Sequence, residues 1–195
     1  ITEPVDILDR DAFEKELNEL GSLRAKADAI RTRLAKSINT KYQENPAYYE
    51  NFSKRIKEAL ELYKARTITE AEYLAKMRDI LEDYRTGKSA IAYPDRIRAN
   101  VHAQAFYGVL TAIFSNEKLS VEPDFAAEMA LDITTIIEKH SQVDWTHNLT
   151  IHDRISQDID DLFYRYQKER GLVLSFDVID MIIENVKTVA LRRFA

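Results

Sequence analysis

The chain has no cysteine, only four glycines and four prolines, and a single tryptophan in 195 residues. Without cysteine there can be no disulfide and no thiolate metal site, which fits a reducing compartment and sets the expected location as cytoplasmic. So few glycines leave little from which to build a phosphate cradle. Neither a G-x-x-x-x-G-K-S/T loop nor a G-x-G-x-x-G turn occurs. A G-x-S-x-G elbow and a cysteine nucleophile are also missing, so nucleophilic hydrolysis has no recognisable centre. No apolar run approaches the roughly 18–20 residues of a membrane span, and no signal-peptide pattern opens the chain. No membrane partner is expected.

What the chain has in quantity is helix-forming residues, with 45% hydrophobic and 31% charged positions. That composition predicts an all-α fold, a helical bundle of about seven to eight helices with an N-terminal helical hairpin arm. Residues 1–21 read as a connector and short helix, 22–86 as a basic helical hairpin arm, and 95–195 as the bundle core. The opening Ile1-Thr2-Glu3-Pro4 reads as a linker, which suggests a piece from the C-terminal end of a larger protein.

Apolar stripes mark the helices. Leu23, Ala27, Ile30, Leu34 and Ile38 recur at spacings of three and four, predicting a helix over about 22–43. Pro46 is placed to open the next, to about Arg66, with Tyr49, Phe52, Ile56 and Tyr63 inward. Thr69 and Glu72 form a capping box for a helix to about Tyr84, and the short turn between these two stripes predicts an antiparallel hairpin. Further helices are expected over about 96–114, 125–140 and 150–168. Gly171 should end the last of these, and Ser175 should cap a final helix.

Charge is uneven. Residues 22–66 hold eleven Lys/Arg against five Asp/Glu, a net +6 in a chain of −5. Arg24, Lys26, Arg31, Arg33, Lys36, Lys54, Arg55 and Lys57 are therefore the candidate residues for binding DNA or an acidic partner surface. As phosphate contacts they would position a duplex without reading its sequence. The competing reading is a pair of solvated helix faces.

Other candidates for chemistry are weak. His140, His147 and His152 lie near Asp144 and Asp153 in sequence, but no Glu-x-x-His pair occurs and the histidines do not share a helical face. Asp153, Asp158, Asp160 and Asp161 read as a solvated outer face. No catalytic residue and no metal ligand is assigned, and the chain reads as non-catalytic.

The tryptophan stands in the connector Val143-Asp144-Trp145-Thr146-His147, between two helical stretches. An indole there either plugs a helix junction or anchors a partner. Ile133, Ile137 and Val143 before it, with Ile151 and Ile155 after it, offer an apolar pocket and favour the plug.

Three segments taken in order resemble a known family: Ile38 to Ser53 (INTKYQENPAYYENFS), Arg66 to Leu74 (RTITEAEYL), and Val143-Asp144-Trp145 with the helix that follows. Their order and spacing resemble the C-terminal helical region of the restriction (motor) subunit of type I restriction–modification enzymes, over nearly the whole chain. Asp144 and Trp145 serve as structural signature residues of that resemblance. It implies an assembly domain that docks an ATP-dependent translocase and endonuclease onto the methyltransferase and specificity subunits, with double-stranded DNA as a further candidate partner. ATP and Mg would serve the parent subunit, with no cofactor in this stretch. Many relatives carry a basic helix after the Asp-Trp pair. Here Asp153, Asp158, Asp160 and Asp161 make it acidic, which leaves residues 22–66 as the electrostatic candidate. A stand-alone helical scaffold or regulatory interaction protein is the alternative reading of the same residues.

Overall fold

A computed structural model describes residues 5–142 and 144–195; the expected linker at residues 1–4 and the Val143 position lie outside them. Among the described residues there are eight α-helices and no strand: α1 Arg10–Asn18, α2 Leu23–Lys41, α3 Pro46–Lys64, α4 Glu70–Thr86, α5 Val101–Asn116, α6 Pro123–His140, α7 Leu149–Arg170 and α8 Phe176–Arg193. The all-α bundle expected from composition is what forms. None of these helices is long and apolar enough to cross a membrane.

The ends of several helices follow from local chemistry. Ser22 Oγ accepts from Ala25 N, and Ser175 Oγ accepts from Val178 N, each satisfying an orphan amide. Thr69 and Glu72 complete the reciprocal capping box at the head of α4. Gly87 and Gly171 stop α4 and α7 in the left-handed region, at φ +71° and +65°, where a Cβ would be strained. One expected helix is broken. Residues 95–97 form a 3-10 turn, and α5 begins only at Val101, because the Asn100 side chain turns back to accept from His102 N and Ala103 N. Asn148 does the same for α7, through Thr150 N and Ile151 N.

The chain divides into two compact units, one holding the described residues up to 42 with 48–91, the other residues 43–47 with 92–195. In the first unit α4 is the hub. It runs antiparallel to α1, through Arg10–Glu82 at 2.6 Å and Arg78–Glu14 at 2.7 Å. It runs parallel to α2, where Asp28 meets the Tyr73 hydroxyl and Ser37 meets the Tyr84 hydroxyl. Against α3 it forms the expected antiparallel hairpin, closed by Arg55–Asp83 at 2.6 Å and the stacked rings of Tyr63 and Tyr73. Phe13, Leu17, Ile30, Leu34, Phe52, Tyr73 and Met77 are fully buried in the shared core.

The second unit is a four-helix bundle in which α5 packs on α6 and α8, and α7 closes the ring between them. Ion pairs fix the antiparallel register of α6 and α7: Lys139–Asp158 at 3.0 Å and Arg170–Glu128 at 3.1 Å. Its core includes Phe106, Leu110, Met129, Ile133, Phe163 and Ile182. Gly108 in α5 permits a close approach to residues 43–47, since a Cβ there would lie 2.7 Å from the Ala47 Cβ.

Candidate functional site

The connector between α6 and α7 is short, and its turn is built around the indole. Asp144 is exposed and holds φ +61°, a left-handed conformation that Asp and Asn tolerate better than most residues. That turn directs Trp145 inward, leaving it 2% exposed in the core that also holds Ile133, Ile137 and Ile155. Its Nε1–H donates to the Phe194 carbonyl at 2.9 Å. His152 Nε2 donates in turn to the Trp145 carbonyl at 3.1 Å, and its ring stands edge-on to the indole. The indole is therefore a plug that joins the α6–α7 turn to the end of α8, rather than an exposed anchor.

The same end of the bundle holds a cluster that sequence reasoning missed. The Phe194 ring lies 4.4 Å from the His102 ring and stacks parallel to Phe106 at 6.3 Å. Arg193 Nε donates to His102 Nδ1 at 3.2 Å, and its guanidinium also donates to the Glu44 carbonyl. Arg192 Nε donates to Gln43 Oε1 at 2.8 Å. Nothing in the local sequence pairs His102 with Arg193; the antiparallel packing of α5 and α8 does.

Burial lowers the His102 pKa from its usual 6.5, and the Arg193 cation lowers it further against a smaller opposing pull from Glu138. The unfolded chain then takes up this proton before the folded one. The neutral-ring contribution is complete above about 6.5 and is lost as pH falls below it. Urea denaturation of His102→Gln alongside the native chain should show less loss of stability between neutral and mildly acid pH. An unchanged difference across that range would remove His102 from the titration.

The basic candidates differ in the partners they hold. Arg24 and Arg31 both converge on Asp28, at 3.6 and 3.4 Å. Arg33 is drawn to Glu16 at 2.6 Å and to the Val5 carbonyl, and Arg55 to Asp83 at 2.6 Å. Arg33 and Arg55 thus tie α2 to α1 and α3 to α4, whereas Arg24 and Arg31 pair within α2 itself. Lys36, Lys54 and Lys57 are exposed, and Lys26 is half-buried; none of the four takes part in an ion pair. Spacing along one helix cannot reveal which cations a neighbouring helix will claim.

The acids of α7 also divide. Asp153, Asp160 and Asp161 are exposed, as a solvated face requires. Asp158, expected on that face, instead turns toward α6, where His140 Nε2 lies at 2.8 Å and Lys139 Nζ at 3.0 Å. The hydrogen bond from His140, aided by Lys139, holds the Asp158 carboxyl below its ordinary range despite partial burial. Among the described residues no group of three or more His, Asp or Glu side chains could hold a metal ion.

Comparison with known proteins gives two matches. The family described as type I restriction enzyme HindI endonuclease subunit-like, C-terminal, matches residues 2–190. The type I restriction enzyme HindI endonuclease subunit of Haemophilus influenzae is 25% identical over 127 residues. That alignment covers 65% of this chain and only about 12% of the length of the relative. No solved structure matches.

Proposed function

Because the chain belongs to the family of type I restriction enzyme HindI endonuclease subunit-like C-terminal regions, we propose that it is an attachment domain. It fastens an ATP-dependent translocase and endonuclease to the methyltransferase and specificity subunits. On this reading the chemistry that uses ATP and Mg belongs to the rest of the subunit.

The observation that carries the reading is an apolar pair on the α7–α8 turn, Val173 at 83% and Phe176 at 85% exposure. Large exposed apolar side chains are unfavourable in water and are stabilised by burial at a protein interface. Phe176 opens α8, and the short connection carrying Val173 is tied to α7 where Gln167 Nε2 donates to the Leu174 carbonyl, which lowers the entropy cost of presenting them.

The test is assembly of the full-length subunit with the methyltransferase–specificity core. Val173→Asp with Phe176→Asp should weaken binding by about ten-fold or more while leaving the helical circular dichroism signal unchanged. Native-like affinity in that variant would sink this docking surface. For duplex DNA, the cations left to meet phosphate are Lys36, Lys54 and Lys57. Replacing all three with Gln should make the salt dependence of DNA binding shallower by about 0.9 per lost contact. An unchanged slope would remove DNA contact by this face.

A further inference from the structure

Helices α3 and α4 leave a groove on the surface of the first unit. Ala59 and Ile80 form a buried floor, and Leu62 projects into the groove at 37% exposure. Two adjoining hollows of about 220 and 530 Å³ meet at Glu58 and Leu62. Glu58, Glu61 and Leu62 of α3, with Ala65 just past its end, follow the i, i+3, i+4, i+7 rhythm of a single helical stripe, so acid and apolar groups share one face.

Elsewhere in the unit, five acids, Glu14, Glu16, Asp28, Glu82 and Asp83, are held by arginines. Glu58, Glu61 and Asp79 are exposed and have no ion pair or hydrogen-bonded partner for their carboxylates. The cations lining the groove are Lys76 and Arg55, and Arg55 is already engaged by Asp83. Glu58 and Glu61 stand one helical turn apart as like charges beside an apolar floor. That arrangement disfavours the free surface and is relieved by a cationic partner.

We infer that this groove seats a basic amphipathic helix of the partner protein, with aliphatic side chains over Leu62 and Lys or Arg side chains against Glu58, Glu61 and Asp79. A groove between two antiparallel helices accepts a third helix by ridge-and-groove packing. The inference rests on the attachment reading and adds the chemistry of what is attached.

The experiment titrates the full-length subunit against the methyltransferase–specificity core by calorimetry at low and high salt. The groove variant carries Glu58→Lys, Glu61→Lys and Asp79→Lys; the control carries Asp11→Lys and Glu19→Lys, exposed acids outside the groove. The groove variant should bind about ten-fold or more weakly at low salt, with a smaller deficit at high salt, while the control stays within about two-fold. Leu62→Glu, at an exposed position, should weaken binding without altering the melting curve. A photo-crosslinking residue placed at position 62 should join a Lys/Arg-rich helical segment of the core. Full binding by the groove variant overturns the groove while leaving the attachment reading intact. Failure of the native subunit to bind the core overturns both, and a crosslink to a second copy of the subunit overturns the assigned occupant.

Discussion

Replacing Trp145 with Ala should destabilise the four-helix bundle by about 3–5 kcal/mol, read as a lowered urea midpoint. The indole is 2% exposed, and truncation would leave a void among Ile133, Ile137 and Ile155. It would also strip the Phe194 carbonyl of the Nε1–H that lies 2.9 Å away. The two contributions can be separated with Trp145→Phe. A benzene ring refills much of the apolar volume but donates nothing, so its cost should be about 1–3 kcal/mol, set mainly by the unpaired carbonyl. The bond also ties the α6–α7 turn to the segment that carries Arg193 and Phe194, so the Ala variant should expose backbone amides near both. Hydrogen exchange would report this as faster exchange at residues 145–148 and at the end of α8. An Ala variant with a native midpoint and a lost partner would make the indole a binding anchor instead.

The parts of the fold legible in the sequence were those set by contacts a few residues apart. Stripes at three- and four-residue spacing place the interior of α2, α3 and α4. Ser22, Thr69, Ser175 and Gly171 mark ends because each acts within its own turn of chain. Asn100 broke an expected helix although it caps locally, since an asparagine between a charged turn and an apolar helix gives no sign of which way its side chain folds.

The candidate site was far less legible. Eight basic residues looked like one electrostatic feature, yet Arg33 and Arg55 each answer an acid selected by tertiary register, while Arg24 and Arg31 share Asp28 within α2. Asp158 turned out to face His140 for the same reason, since residues 18 apart meet only after α6 and α7 have packed. The family resemblance survived these changes because it rests on the order of segments and not on the partners of their side chains.

In the first unit the largest single effect is expected at Tyr73. Its side chain is fully buried on α4, stacked at 4.7 Å and 5° on Tyr63 of α3. Its hydroxyl approaches Asp28 of α2 at 3.4 Å, so one residue touches both helices that flank α4. Truncation to Ala should cost about 3–5 kcal/mol, as for other large aromatic side chains removed from a core. Tyr73→Phe should cost well under that, about 1 kcal/mol or less, because a 3.4 Å contact is a weak hydrogen bond and Asp28 keeps Arg24 and Arg31 as partners. A Phe variant as unstable as the Ala variant would mean that the hydroxyl, and not the packed ring, holds α2 to α4. The pair also guards the binding experiments. Tyr73→Phe should preserve the α3–α4 groove and bind the core normally, whereas Tyr73→Ala should loosen the hairpin and weaken binding with every groove carboxylate still present. Loss of affinity in the Ala variant would therefore measure the rigidity of the groove, and loss in the charge-reversed variant its chemistry.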